Sequence, residues 1–137
     1  MIYLTQEDLT ADTQERFITE SSADATDVLD TIEKAVIALV VSFLSSRYDT
    51  ALVFAPAGPT RNELLVDIMA KIVLYKLFRR NAARKVSTDI KEDYEWAMRQ
   101  LEKLQTGRIT LDLPVPAPEG SSSNSMFGNL TNTDFYI

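Results

Sequence analysis

Residues 24–46 read DATDVLDTIEKAVIALVVSFLSS, and the order of apolar and charged positions in this stretch decides the fold class. Val28, Leu29, Ile32, Ala35, Val36, Leu39, Val40, Phe43 and Leu44 recur at the i, i+3, i+4, i+7 spacing of one helix face, where a strand would alternate. Asp24, Asp27 and Asp30 fall in the first turns, where acids are favoured by the positive end of the helix dipole. The spacing predicts a helix from near Asp24 to about Ser46. Its most apolar part, Ala35–Leu44, is ten residues long, about half of the ~20 needed to cross a bilayer. Ile37 and Val41 add a second apolar face, so the helix should be covered on most sides, by its own domain or by a neighbouring subunit.

Working outward, Leu4-Thr5-Gln6-Glu7-Asp8-Leu9 has the residues of a helix start in order: Thr5 to cap, Asp8 to answer it, and Leu4 to staple onto Leu9. This predicts a short first helix ending near Ala11. The polar stretch to Ser22 carries Phe17 and Ile18 as its bulky apolar residues and reads as a brief turn or loop pinned by them. After the helix at 24–46, Asp49–Thr60 contains Pro56, Gly58 and Pro59 and reads as a loop, with Thr60 as the next cap and Glu63 completing a capping box. A third helix follows from Arg61 to about Asn81, with Leu64, Leu65, Ile68, Met69, Ile72, Val73, Tyr75, Leu77 and Phe78 inward. A fourth runs from near Ser87 to Thr106 on the stripe Ile90, Tyr94, Ala97, Met98, Leu101 and Leu104, with Gly107 as its left-handed cap. Arg108–Leu113 alternates polar and apolar residues like a short strand, though nothing else in the chain offers it a partner. From Pro114 the composition is that of a linker, ending in Met126-Phe127, Leu130 and Phe135-Tyr136. The expectation is an all-α fold: a small bundle of three main helices plus a short N-terminal helix, a lone C-terminal strand and an extended tail. The helical domain is 1–113 and the tail 114–137.

The chain has 137 residues, enough for one domain of ordinary size. It has no Cys and no His, which removes thiolate and imidazole zinc sites, disulfides, and any nucleophile that depends on an imidazole base. The four glycines are scattered, so phosphate-cradling loops are excluded. The acid clusters Asp24/Asp27/Asp30 and Glu92/Asp93/Glu95 read as solvated helix faces, since Val28 breaks the ligand order of a calcium loop. No catalytic residue, cofactor or metal is expected. The N-terminus lacks the apolar stretch of a signal peptide, which fits an intracellular origin.

Charge is unevenly spread. Residues 1–46 hold nine acids and two bases, while residues 61–91 hold eight bases and three acids, on a chain of net charge −6. Either the two regions pair internally, or opposite faces of one subunit meet in a repeated assembly. The candidate interface set is Asp24, Asp27 and Asp30 on the acidic side, with Lys76, Arg79, Arg80 and Arg84 on the basic side. Without interleaved aromatic platforms, the basic set is a poor reader of nucleic acid. The candidate docking set is Ile109 and Leu111 on the strand, with Phe127, Leu130, Phe135 and Tyr136 on the tail, too few to form a core and suited to burial on a partner.

The opening Tyr3–Leu9, the helix end Phe43–Tyr48 before a proline-containing loop, Asp67–Arg80, Asp93–Ala97 and Leu101–Leu111 together resemble the Mu-like phage family of small head-to-tail connector, or neck adaptor, proteins. The resemblance covers about residues 3–113. It implies a mostly helical subunit of a ring, commonly dodecameric, that sits beneath the portal protein, continues the DNA channel and docks the next neck or tail protein. Such a protein is made in the bacterial cytoplasm, ends in the virion at the portal vertex and meets no membrane. Loops or C-terminal tails that insert into neighbours would give 108–113 its partner strand. An acidic lumen would let DNA pass without specific binding. The alternative from the residues alone is a small soluble helical protein-binding module of a bacterial host, a regulator or chaperone, with residues 28–44 forming a groove for a partner helix.

Overall fold

The computed structural model describes residues 2–11, 28–80 and 86–116. The described residues form five helices: α1 (Gln6–Thr10), α2 (Val28–Leu44), α3 (Thr50–Val53), α4 (Glu63–Arg79) and α5 (Thr88–Thr106). The all-α expectation holds. The short helix, the three main helices and the Gly107 cap stand close to where the sequence puts them, and Ser87, near which the last helix was expected to begin, is its N-cap. The Phe17–Ile18 turn, Asp24–Asp27, Asn81 and the chain from 117 onward lie outside the described residues.

The capping box of α1 is complete. Thr5 Oγ1 accepts from the Asp8 N–H at 3.3 Å, and the Thr5 N–H donates to the Asp8 carboxylate at 2.7 Å. Leu4 and Leu9 are both buried, as a hydrophobic staple requires.

α4 is the centre of the fold. It buries Leu65, Val66, Ile68, Met69, Ala70, Ile72, Val73, Leu74, Leu77 and Phe78, which occupy nearly every side of the helix, because α1, α2 and α5 all pack on it. Leu64, expected inward, is instead 37% exposed at the first turn. α4 and α5 run antiparallel: Tyr75 stacks on Tyr94 with ring centroids 4.1 Å apart, and Lys71 lies 5.7 Å over the Trp96 ring. α5 shows one buried stripe, Ala97, Leu101 and Leu104, below an exposed polar face.

α2, expected to be covered on most sides, buries a single line, Glu33, Val36, Val40 and Leu44. Its other apolar residues, Ile37, Leu39, Val41 and Phe43, are half-buried, and Ala35, Ala38 and Ser42 are exposed. The most apolar helix in the sequence is therefore peripheral among the described residues, and α4 takes the central place.

Two elements differ from the sequence expectation. The loop 49–60 contains the helical turn α3, capped by the Asp49 side chain on the Leu52 N–H. The cap of α4 is Asn62, whose Oδ1 accepts from the N–H groups of Leu64 and Leu65 at 3.1 and 3.2 Å. Thr60 lies two residues before the cap position and is held against α3 and Tyr3 instead: its N–H donates to the Val53 carbonyl, its hydroxyl to the Leu52 carbonyl, and its own carbonyl accepts from Tyr3.

The second difference is residues 108–113, which form no strand; the described residues contain none. No neighbouring strand edge answers the backbone groups of this segment, and side chains after α2 do so instead. Arg47 donates to the carbonyls of Leu104 at 2.9 Å and Ile109 at 3.4 Å, the Tyr48 hydroxyl accepts from the Leu111 N–H at 2.8 Å, and the Asp49 N–H donates to the Pro114 carbonyl at 2.8 Å. The alternation itself is used: Ile109, Leu111 and Leu113 pack against the core, and Thr110 and Asp112 are exposed.

Candidate functional site

At the N-terminal end of the described chain, Glu33 is 1% exposed and accepts three successive backbone N–H groups, from Ile2, from Tyr3 at 3.0 Å and from Leu4 at 2.6 Å. A buried carboxylate is costly unless its oxygens are answered, and three N–H donors answer it here. Tyr3 extends the chain of bonds: its hydroxyl donates to the Thr60 carbonyl and accepts from the Asn62 N–H, both at 3.0 Å, and its ring meets Phe54 edge-on at 5.0 Å. Burial pushes the Tyr3 hydroxyl above its ordinary value, against the lowering effect of the Asn62 N–H. Glu33 and Tyr3 thus couple the start of α2 to the start of α4.

Arg61 closes the same corner. Its guanidinium forks onto both Asp8 oxygens, reaches Glu63 at 3.2 Å and donates to the Tyr3 carbonyl at 3.4 Å. Burial raises the Asp8 carboxyl, but hydrogen bonds from Arg61 and Thr5 outweigh it and hold the carboxyl below its ordinary range. The same contact with Asp8 raises Arg61.

Of the acidic interface candidates, Asp30 lies exposed in the first turn of α2, and Asp24 and Asp27 are outside the described residues. Of the basic ones, Lys76 is half-buried and Arg79 and Arg80 are exposed at the end of α4; Arg84 is outside the described residues. α2 is tied through Glu33 and Tyr3 to the start of α4, and these bases occupy the other end of that helix. Of the docking candidates, Ile109 and Leu111 are half-buried against this chain's own core, and Phe127, Leu130, Phe135 and Tyr136 lie outside the described residues. Beyond Pro114 the chain turns outward, with Val115 65% exposed.

The outward face of α2 is uncharged along its C-terminal half, with exposed Ala35, Ala38 and Ser42 beside half-buried Leu39, Val41 and Phe43. Residues 35–46 carry no charge. The exposed positions are small, and the Ser42 hydroxyl is turned back onto the Leu39 carbonyl, which leaves that position little polar demand. No cluster of acids suited to a metal ion occurs among the described residues, and no described helix is long and apolar enough to cross a membrane.

Sequence reasoning missed Glu33 and the Arg47–Tyr48–Asp49 clamp. Glu33 was findable: Leu29, Glu33, Val36 and Val40 share one helix face, so the acid sits in the middle of the apolar stripe. The clamp had no sequence signal, because each of its bonds spans more than fifty residues.

No curated protein matches the chain. The family model described as Bacteriophage Mu, Gp36 matches residues 3–129, which takes in all five helices and most of the C-terminal stretch. The chain therefore belongs to the Bacteriophage Mu Gp36 family and is a Mu-like phage protein.

Proposed function

We propose that this chain is a head-to-tail connector subunit, which assembles as a ring between the portal and tail components and continues the DNA channel. The observation that supports this reading best is the uncharged outward face of α2. Ala35, Ala38 and Ser42 are exposed between half-buried Leu39, Val41 and Phe43. A face of this kind costs free energy in water, and the small side chains let a neighbouring element approach closely, as the core of a subunit interface requires. Family membership adds the phage setting.

Charge supplies a direction for the contact. An acid-rich N-terminal region and a base-rich region ending α4 meet head to tail when one subunit's residues 20–33 face the next subunit's residues 76–91, Glu33 itself being buried in its own chain. A heterologous contact repeated by rotation closes a ring. The tail, with Phe127, Leu130, Phe135 and Tyr136, docks on a neighbour, the portal protein or the next neck protein. The subunit works by assembly, without catalysis, cofactor or membrane, at the portal vertex of the virion. It is made in the cytoplasm of the bacterial host.

The test is genetic. Removing the gene from the phage should leave DNA-filled heads and free tails that do not join, and supplying the full chain in trans should restore tailed particles. Tailed, infectious particles made without it would overturn the connector reading and favour a helical binding module that acts in the host cell.

A further inference from the structure

The C-terminal turns of α5 and the residue after its cap carry a basic groove that the interface sets do not include. Arg99, Glu102, Lys103, Thr106 and Arg108 line an open groove of about 330 Å³. Arg99 and Lys103 stand four residues apart on one face, where like charges repel by a few tenths of a kcal/mol. None of the three bases has an ion-pair partner within 4.0 Å among the described residues.

Helix capping does not account for them. The Lys103 carbonyl accepts from the Gly107 and Arg108 N–H groups, the Leu104 carbonyl accepts from Arg47, and the Thr106 hydroxyl turns back onto the Glu102 and Lys103 carbonyls. The negative end of the dipole is already answered by backbone and by Arg47, so Arg99, Lys103 and Arg108 are surplus to it.

We propose that this groove contacts the phosphate backbone of duplex DNA. Its lining residues are three bases, a threonine and a glutamate, whose polar ends rim walls made largely of their own aliphatic stems. No lining residue is of the aromatic or large apolar type that anchors the centre of a protein–protein contact, and three of the five carry the charge that phosphates attract. A single strand would need aromatic platforms, which are absent from the lining too. Phosphate recognition needs only cations and donors. Glu102 and the chain's net charge of −6 keep the contact weak in one copy. A ring multiplies it, as suits a passage that must steady DNA without holding it. The chain's overall acidity thus has a local exception where the duplex passes. The biological setting rests on the connector reading, but binding by the isolated chain does not.

The experiment is a titration of the isotope-labelled full chain with a short duplex, read by amide chemical shifts at several salt concentrations. Shifts are expected at residues 99–108, with log K falling against log salt at a slope of about −2.7 for three engaged cations, at ~0.9 each. Arg108→Gln should reduce the slope by about 0.9, and the triple variant R99Q/K103Q/R108Q should abolish the response. These side chains are exposed or half-buried, so circular dichroism should show the fold intact. K76Q/R79Q, at the far end of α4, should leave the response at 99–108 unchanged. The proposal is overturned if the duplex causes no shift at 99–108 at low salt, if K76Q/R79Q abolishes it, or if a peptide of residues 12–33 moves this region while the duplex does not. Each of those results leaves the ring to be judged from particles alone.

Discussion

Replacing Glu33 by Gln removes a charge and one acceptor while keeping the side chain's shape. Of the two carboxylate oxygens, Oε2 accepts from Tyr3 and Leu4, and Oε1 accepts from Ile2. An amide can place its oxygen where two bonds converge, and its NH₂ group must then face the Ile2 N–H. One bond becomes a donor–donor clash and two charge-assisted bonds become neutral. A hydrogen bond to a charged group contributes ~1.5–3 kcal/mol against ~1 for a neutral one, and an orphaned donor costs about 1–3 kcal/mol more. Bonds to one carboxylate are not additive, so the expected loss is about 2–4 kcal/mol. The loss should spread, because Tyr3 also holds Thr60 and the first residue before α4. Chemical denaturation of wild type and Glu33→Gln gives the difference, and hydrogen exchange should show lowered protection at Tyr3, Leu4 and Asn62 together. A change below about 0.5 kcal/mol, with protection of Tyr3 and Leu4 intact, would refute the claim that this carboxylate pins the N-terminal segment.

Other outcomes follow from the same geometry. Gly107→Ala should cost about 1–2 kcal/mol in chemical denaturation, since φ is +85° and the added Cβ would sit 3.4 Å from the Arg47 guanidinium; Gly58→Ala, with nothing within 4 Å of the added atom, should be nearly silent. Tyr48→Phe orphans the Leu111 N–H and should cost about 1 kcal/mol, with faster exchange confined to 109–114. Leu101→Ala, at a fully buried position under α4, should cost about 2–5 kcal/mol through the cavity it leaves. The Asp8 carboxyl titrates below its ordinary range in the folded chain, so its contribution is full above that range and is lost as the pH falls from there through the lower folded value. Melting temperatures of wild type and Asp8→Asn should therefore differ at neutral pH and converge in acid; a constant gap would contradict the Arg61–Asp8 fork as its source.

Helix ends were the most legible part of the fold, because caps are local. Thr5 with Asp8 and Gly107 with Lys103 each act within four residues of sequence, and the structure shows them where the residues put them; Ser87, read only as a helix start, caps through the Ile90 N–H. Thr60 was displaced for a non-local reason: bonds to Tyr3, Leu52 and Val53 hold it against α3 and the N-terminal segment, two residues short of the helix start that Asn62 caps. Which helix is central was not legible either. The unbroken apolar run 35–41 singled out α2, yet α4 is the one surrounded, since three partners converge on it and even Ala70 and Leu74 are buried. For the 109–113 segment, alternation gave its inward and outward residues correctly, but alternation also describes an extended segment tied down by Arg47 and Tyr48 without a ladder. As for the candidate site, charge asymmetry is visible in any count of residues, and Asp30, Lys76, Arg79 and Arg80 can be located on α2 and at the end of α4. The uncharged outer face of α2 emerges only from knowing which side α4 takes.

The central claim, that the subunit is a ring component at the portal vertex, is tested most directly by counting. Purified, nuclease-treated particles should be digested and the peptides of this chain quantified against those of the portal protein. The connector account predicts about one copy per portal subunit, retained through purification. Its absence from intact tailed particles, with the chain found only in the cell extract, would contradict the account.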